Sequence, residues 1–206
     1  MSVTQHGDMR PATSVRNRSP WRSAIAAGLG SAIEYYDFQL YAVLAVTISA
    51  LFFPNQSPET ALLSTLLIFG GAFLVRPLGG MFFGWLGDRH GRRSALLVTV
   101  IGMGFATVGI GLLPGYLALG ILAPCLLLLL RFAQGFFAGG EVTGAATYIA
   151  ESVPVRQRGF FGAFNPAMAT FGLTLGTGAT GLCSAILGAP AMAAWGWRIP
   201  LLLPVR

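Results

Sequence analysis

The stretch GWLGDRHGRR, residues 84 to 93, places one aspartate and three arginines in a short break between two long apolar runs. In this break, Gly84 allows close packing between helices and Gly91 allows the chain to reverse. Asp88 can cap the helix that follows, because its carboxylate accepts hydrogen bonds from free backbone N–H groups at a helix start. The pattern therefore predicts a tight charged turn between two hairpinned helices.

The remainder of the chain is strongly apolar, which identifies the flanking runs as membrane spans. Of 206 residues, 54% are hydrophobic and 10% are charged, whereas soluble domains carry about 25% charged residues. All basic residues are arginines, and no basic face with interleaved aromatics indicates a nucleic-acid partner. Cys125 and Cys183 lie inside apolar runs, away from any CxxC or Cys/His spacing, so neither a metal site nor a disulfide framework is predicted.

Apolar runs of about 20 residues or more predict an all-α, polytopic transmembrane helix bundle. The expected spans are residues 23–52, 60–86, 94–113, 124–150 and 159–188, with the beginning of a sixth near Trp197. Short segments with turn chemistry separate them, among them FFPNQSPE at 52–59 and GAP at 188–190. The predicted organisation is a polar tail over residues 1–22 followed by a transmembrane unit over residues 23–206.

Glycines recur at helical spacing within the second, fourth and fifth predicted spans. Examples are Gly79, Gly135, Gly139, Gly172 and Gly176. Small residues let helix backbones approach closely in lipid, where no hydrophobic force drives helices together. These positions are therefore predicted to be helix contacts.

Arginines occur in every second connection, which predicts how the chain is oriented in the membrane. The basic connections are the tail, 89–93 and 156–158, and the arginine-free ones are 53–59, 114–123 and 189–196. Cytoplasmic connections of membrane proteins are enriched in basic residues. We therefore expect a multi-pass protein of the cell inner (plasma) membrane, in contact with the lipid bilayer, with its N-terminus in the cytoplasm.

The charged turn, with the pattern G-x-x-x-D-R-x-G-R-R between two hairpinned spans, resembles the signature cytoplasmic loop of the major facilitator superfamily. Further stretches are similar to its bacterial metabolite:proton symporters, which take up α-ketoglutarate, citrate, shikimate, or proline and betaine. These stretches are EYYDF at 34–38, FLVRPLGG at 73–80, RFAQGFFAGGE at 131–141, ATYIAESVP at 146–154 and GWRIP at 196–200.

The resemblance implies a twelve-helix transporter, of which this chain is the truncated N-terminal six-helix half without its C-terminal half. It implies proton-coupled symport of a small polar metabolite, an organic acid or a betaine-like or amino-acid-like solute, with no enzymatic activity and no cofactor. It also implies a cytoplasmic gating role for the turn, carried by Gly84, Asp88, Arg89, Gly91, Arg92 and Arg93. Val142 and Thr143 stand where the group has an aromatic residue followed by Gly, so the solute class stays open, as does H⁺ against Na⁺ coupling.

Five ionisable side chains fall inside the predicted spans, where each unpaired charge costs about 2.5–3.5 kcal/mol on insertion scales. They are Glu34 and Asp37 on the first span, Arg76 on the second, and Arg131 and Glu141 on the fourth. Two interpretations are open. The charges either form interhelical ion pairs that hold the bundle together, or they line a polar cavity that binds protons and solute.

In the second interpretation, a carboxylate exchanges the proton, because arginine in practice does not titrate. We expect the proton site at Glu34 or Asp37, with the choice between them open. Arg131 is expected to attract an anionic or zwitterionic solute or to control the charge of the acids. Tyr41 and Gln134 are the expected additional contacts.

Three alternatives compete with symport. Drug efflux by the same superfamily is disfavoured, because GLTLGTGATG at 172–181 lacks the proline of the efflux motif. An intramembrane aspartyl protease needs two carboxylates that share a proton, whereas Asp37 and Asp88 are expected at different depths. The third alternative is a non-transporting fragment. We also expect that this chain alone does not accumulate solute, because the pathway of the superfamily lies between two halves.

Overall fold

The computed structural model describes residues 20–152 and 155–203. The helices are α1 Pro20–Phe52, α2 Pro58–His90, α3 Arg92–Leu112, α4 Tyr116–Leu119, α5 Leu122–Ser152, α6 Arg158–Ala191 and α7 Arg198–Leu202. A 3₁₀ turn, Val155–Gln157, precedes α6, and a π-helical segment, Met192–Gly196, precedes α7. Residues 1–19 of the predicted tail lie outside the described residues.

Five of the described helical stretches are long and apolar enough to cross a membrane. They are Gly28–Phe52, Pro58–His90, Arg92–Leu112, Leu122–Glu141 and Arg158–Gly196. The predicted all-α transmembrane bundle is therefore confirmed. Because short connections join successive spans, the beginnings of α1, α3 and α6 lie at the same end of the bundle as the ends of α2 and α5.

Two predicted loops turn out to be partly helical. Residues 189–196 continue from the end of α6 into the π-helical segment, with the change of direction at Gly188, whose φ is 76°. Residues 114–123 contain the short helix α4. A positive φ is accessible to glycine because it has no Cβ, so Gly188 bends the chain here without a loop.

The charged turn is shorter than the sequence predicted. Asp88 and Arg89 belong to the last turn of α2, and Gly91 alone, at φ 92°, separates α2 from α3. The predicted capping role of Asp88 is wrong: the start of α3 has no side-chain cap, and the Asp88 carboxylate pairs with Arg92 instead. Because Asp88 lies inside α2, it cannot occupy the capping position before α3.

The main helix contacts are α1 with α6, and α2 and α3 with α5. They are close, as the glycine spacing predicted. A Cβ at Gly135 or Gly139 of α5 would collide with a carbonyl oxygen of α2, and one at Gly79 of α2 with a carbonyl oxygen of α5. A Cβ at Gly172 of α6 would likewise collide with a carbonyl oxygen of α1. These contacts fix α1, α2 and α5 around the buried polar residues described next.

The apolar core lies beside those polar residues and anchors α7. Trp197, 1% exposed, packs edge-on against Phe52 of α1 with ring centroids 6.3 Å apart. The Tyr36 hydroxyl donates a hydrogen bond to the Pro200 carbonyl oxygen at 2.8 Å. The beginning of the predicted sixth span is therefore docked on α1.

Candidate functional site

A layer of buried ionisable side chains lies between α1, α2 and α5. Glu34, Asp37, Arg131 and Glu141 are each at most 5% exposed, whereas the Arg76 side chain is 21% exposed. We call this set the buried polar layer. All five intramembrane charges that the sequence singled out therefore belong to this layer, and four of them are buried.

Glu34 and Arg76 form an ion pair between α1 and α2. The Arg76 Nη2 to Glu34 Oε1 distance is 2.5 Å. The guanidinium also lies 4.6 Å from the ring centroids of both Phe38 and Phe73, which stack on each other. Aromatic faces attract a cation most strongly where water is excluded. The pair and its aromatic neighbours therefore hold Arg76 in place without a bound solute.

Asp37 bonds to a hydroxyl group of α3, and that hydroxyl accepts a hydrogen bond from an amide group of α5. The Thr107 hydroxyl donates a hydrogen bond to Asp37 Oδ2, and Gln134 Nε2 donates to Thr107 Oγ1 at 2.7 Å. Among the described residues, Asp37 Oδ1 and Gln134 Oε1 have no hydrogen-bond partner. The network therefore leaves two buried acceptors able to take a proton or a donor group of a ligand.

Arg131 is stacked on the aromatic ring of Tyr41. Its guanidinium carbon lies 3.5 Å from the Tyr41 ring centroid and 5.6 Å from that of Phe69. The Tyr41 hydroxyl donates to the Thr65 carbonyl oxygen at 3.2 Å, which fixes the ring. The Arg131 charge acts on the Asp37 carboxyl, and its Nε has no partner among the described residues. Arg131 is therefore positioned by aromatic packing and keeps a free donor.

These groups surround a cavity of about 10 Å³. Its lining residues are Glu34, Asp37, Phe38, Ala72, Met103, Arg131, Gln134, Gly135 and Ala138. A cavity of this size holds about one water molecule. This cavity is therefore too small for a solute, whereas Asp37 and Thr107 also line a larger pocket of about 410 Å³ between α1 and α3.

Four of the predicted site residues line the cavity, and the others lie around it. Glu34, Asp37, Arg131 and Gln134 line it directly, whereas Tyr41 acts through Arg131. Arg76, on α2, does not line the cavity but pairs with Glu34. The fifth charge, Glu141, faces α1 at Gly30.

Thr107 is the functional candidate that the sequence reasoning missed. Its hydroxyl joins Asp37 to Gln134, so it connects α1, α3 and α5. The available signal was a hydroxyl in a glycine-rich span that also contains Ser94 and Thr99. Threonine in a helix commonly bonds to its own backbone, as Thr174 does to the Thr170 carbonyl oxygen at 3.0 Å and as Thr107 itself does to the Met103 carbonyl oxygen at 3.0 Å, so the residue type alone did not reveal the contact with Asp37.

The charged turn has the same residue types in an exposed setting. Asp88 Oδ1 and Arg92 Nη2 are 3.0 Å apart, with side chains 69% and 34% exposed. The Arg89 guanidinium lies 5.6 Å from the Trp85 ring centroid. A Cβ at Gly84 would meet no described atom within 4 Å. The predicted close packing at Gly84 is therefore wrong for the described part of this chain.

Comparison with known families identifies the chain. The family model described as "Sugar (and other) transporter" matches residues 23–205. The chain belongs to this family. The match covers all five candidate spans and every residue of the buried polar layer.

Curated relatives of the chain are transporters of small metabolites. The chain is 46% identical over 183 residues to the glycine betaine/proline/ectoine/pipecolic acid transporter OusA of Dickeya dadantii, covering 88% of this chain and 36% of the relative. It is 42% identical over 195 residues to the proline/betaine transporter of Escherichia coli K12, covering 95% and 39%. It is 41% identical over 185 residues to the shikimate transporter of the same organism, covering 89% and 42%. The chain thus spans about two-fifths of the length of these relatives.

Solved structures confirm the major facilitator fold. The major facilitator superfamily proton:xylose symporter XylE, bound to 6-bromo-6-deoxy-D-glucose, matches with a TM-score of 0.80 at 22% identity, covering 90% of this chain and 42% of that one. A partially occluded inward-open form of XylE from E. coli matches with a TM-score of 0.79, also at 22% identity. At this identity the likeness shows the fold alone. It confirms the predicted helical unit of a larger transporter fold.

Proposed function

We propose that the transporter of which this chain forms part is a proton-coupled symporter for a small anionic or zwitterionic metabolite. One observation carries the proposal: Asp37 and Arg131, both buried, line the same small cavity. A carboxylate binds and releases protons, whereas a guanidinium stays charged and offers a planar set of donors that matches a carboxylate. The cavity thus contains one group for each of the two transported species.

The relatives support the solute class. The names of three of them specify betaine, proline and shikimate, molecules that carry a carboxylate. Arginine binds carboxylates through two parallel hydrogen bonds. Arg131 Nε, which lacks a partner among the described residues, is available for such a contact. The proposal is therefore that Arg131 binds the solute carboxylate.

Asp37 is a better candidate than Glu34 for the coupling proton. Glu34 is already paired with Arg76 at 2.5 Å, whereas Asp37 keeps one oxygen without a hydrogen-bond partner among the described residues. A proton on Asp37 removes its attraction for Arg131 and leaves the guanidinium free for the solute. Loss of the proton restores that attraction and favours solute release. The proton and the solute therefore bind together, as symport requires.

A chimeric transporter tests this proposal. Residues 23–203 of this chain replace the corresponding segment of the E. coli proline/betaine transporter, and uptake of labelled proline, glycine betaine and shikimate is measured in proteoliposomes. D37N should abolish uphill, pH-driven uptake while solute exchange across the membrane stays measurable, since exchange needs no net proton cycle. R131A should lose both activities, and R131K should not restore them fully, because an ammonium is a point charge.

The matched control is Glu59→Gln, which changes an exposed acid at the start of α2. It should leave both activities unchanged. Uphill uptake by a correctly inserted D37N chimera would refute the assignment of the proton to Asp37. Proton-driven export in place of uptake would favour the efflux alternative.

We also propose that the end of the bundle containing the charged turn faces the cytoplasm of a bacterium whose inner membrane holds the protein. His90 and Gln157 lie at that end, and Asn55 and Gly115 lie at the other, since they connect the opposite ends of the helices. The alternation of basic connections supports this orientation. Cysteines introduced one at a time at these four positions should react with an impermeant reagent from outside only at 55 and 115. Labelling of position 55 from the cytoplasmic side alone would reverse the assignment.

A further inference from the structure

Glu141 is a buried acid that the proposed symport mechanism leaves unused. It is 1% exposed, and neither of its carboxyl oxygens has a hydrogen-bond partner among the described residues. Its carboxyl group packs directly on α1: a Cβ added to Gly30 would collide with Glu141 Oε1 and lie 2.9 Å from its Cδ. An ionised carboxylate without a partner is strongly disfavoured in such surroundings.

Glu34 and Arg76 lie next to this acid. Gly30 and Glu34 are one helical turn apart on α1, which is about 6 Å along the helix axis. On the α2 side, Gly139, in the same turn of α5 as Glu141, packs against the backbone carbonyl of Arg76. One turn of α5 thus packs against α1 one turn before Glu34 and against the α2 backbone at Arg76.

We propose that Glu34, Arg76 and Glu141 form a single proton-binding unit, in which two carboxylates share one guanidinium and one proton. With both acids ionised, the unit has a net charge of −1. One bound proton makes it neutral, which a site without water favours. In the structure, Arg76 pairs with Glu34, so the proton belongs on Glu141.

The proton and the Arg76 guanidinium can change places between the two carboxyl groups without a net change in charge. In one arrangement Glu34 is a carboxylate paired with Arg76 and Glu141 is a carboxylic acid. In the other, the proton has moved to Glu34, and the guanidinium has moved to the Glu141 carboxylate. Arg76 Nε has no hydrogen-bond partner among the described residues, so the guanidinium has a donor to offer to a second carboxylate. Protonation therefore determines which of α1 and α5 is bound to α2 through Arg76.

The charges around Glu141 are consistent with a unit of two carboxyl groups and one guanidinium. Those acting on its carboxyl group come from Glu34 and Asp37 of α1 and from Arg76 of α2. On its own helix, Arg131 lies nearly three turns away and is engaged with Tyr41. The ionisable side chains of α3 and α6 that the structure describes are at their first turns, apart from Cys183: they are Arg92, Arg93 and Arg158. Among the side chains that the structure describes, Arg76 is thus the cation available to both acids.

Infrared spectroscopy of the 206-residue chain measures this protonation without any transport assay. Protonated carboxyl groups give a carbonyl stretching band that carboxylates lack, and a maltoside detergent avoids the ester carbonyls of lipids. At neutral pH we expect Glu141→Gln to remove one carboxyl equivalent of this band. Glu34→Gln should remove the same amount, because Arg76 is then free to pair with Glu141, which ionises. Arg76→Gln should double the equivalent, because both acids then bind protons.

The response to Glu34→Gln is the decisive result. If Glu141 were a protonated acid independent of Arg76, its band would survive Glu34→Gln at full intensity, and the shared unit would be refuted. A band that Glu141→Gln leaves intact would also overturn the proposal. Asp37→Asn identifies any contribution from Asp37, and Glu59→Gln, at an exposed acid, should change nothing. Helical circular dichroism verifies folding. If Arg76→Gln does not fold, Glu34→Gln and Glu141→Gln decide the question, because glutamine has nearly the shape of glutamate.

The inference does not depend on the proposed symport function. A chain whose Asp37 carries no coupling proton in the chimera would still show the shared band. A chain without the shared band would still allow coupling at Asp37. Failure of the two proposals is therefore distinguishable.

Discussion

The buried polar layer and the charged turn contain the same kinds of residue in opposite surroundings. In the layer, Glu34 and Arg76 are 2.5 Å apart with side chains 2% and 21% exposed; in the turn, Asp88 and Arg92 are 3.0 Å apart at 69% and 34% exposure. An exposed pair at i,i+4 contributes about 0.3–0.5 kcal/mol. Breaking a buried pair costs about 3–5 kcal/mol, because one charge is left without compensation.

The contrast indicates that loss of one ion-pair partner costs more in the layer than at the turn, although the turn is the more recognisable motif. The turn is conspicuous because it interrupts an apolar sequence with charge, yet solvent screens its ion pair. The acids and arginines of the layer are scattered over α1, α2 and α5, and folding alone brings them together. Substitutions at the turn are therefore expected to change stability little, whereas those in the layer leave a buried charge without compensation.

The largest effect on stability is expected from Arg131→Ala. This change removes the stacking on Tyr41 and leaves Asp37 without its neighbouring positive charge. The free energy of unfolding in mixed micelles should fall by about 3–5 kcal/mol. The free energy of unfolding of Arg131→Lys should lie between those of Arg131→Ala and the wild type. Alanine at exposed Arg93 of the turn should change the free energy of unfolding by less than about 0.5 kcal/mol. Equal losses at positions 131 and 93 would remove the distinction between the two regions.

A smaller loss is expected from Thr107→Val, which keeps the side-chain shape and removes the hydroxyl. Asp37 and Gln134 both bond to that hydroxyl, and a hydrogen bond to a charged group contributes about 1.5–3 kcal/mol. The unfolding free energy should fall by that amount. The control is Thr174→Val, whose exposed hydroxyl bonds to its own helix. A loss at position 174 as large as at 107 would show that the threonine network adds nothing specific.

Thr107 also illustrates how far the sequence could predict the structure. The spans were predictable because apolar length is a property of contiguous residues, and the chain reversal between α2 and α3 was predictable from Gly91. Pairing partners were not predictable, because each span presents several faces and the rotation of one helix against another is set by close packing. The five charges were identifiable, but which arginine serves Glu34 and which lies near Asp37 depends on the crossing of α1, α2 and α5.

Residues 188–202 show a second case in which the sequence did not predict the structure. GAP at 188–190 correctly indicated a break in the helix, yet residues 189–196 form helical turns instead of a loop. Glycine and proline disfavour a straight helix without specifying what replaces it. The docking of Trp197 and Pro200 on α1 involves residues more than a hundred positions apart, so no local pattern contained it.

The contact that aligns the layer can be tested with Gly139→Ala. A Cβ at this position would collide with the carbonyl oxygen of Arg76, so α2 and α5 must separate. Overpacking of this kind costs about 1–3 kcal/mol. The control is Gly104→Ala on α3, where a Cβ would meet no described atom within 4 Å; alanine there should be neutral or stabilise the helix by up to about 1 kcal/mol. Destabilisation by both changes would indicate a general intolerance of alanine instead of a specific α2–α5 contact.

The smallest effect on stability is expected at the turn, from Asp88→Asn. The change removes the ion pair with Arg92, and for an exposed pair of this geometry the unfolding free energy should fall by no more than about 0.5 kcal/mol. We propose that the turn gates transport, so the rate of solute exchange in the chimera should fall much further. A loss of 0.5 kcal/mol corresponds to only about a twofold change in an equilibrium, whereas a tenfold change requires about 1.4 kcal/mol. An exchange rate reduced more than about tenfold in a protein of unchanged stability would therefore mean that Asp88 acts in a conformation other than the one seen here. If exchange falls by no more than about twofold, the turn only connects α2 to α3, and the gating proposal fails.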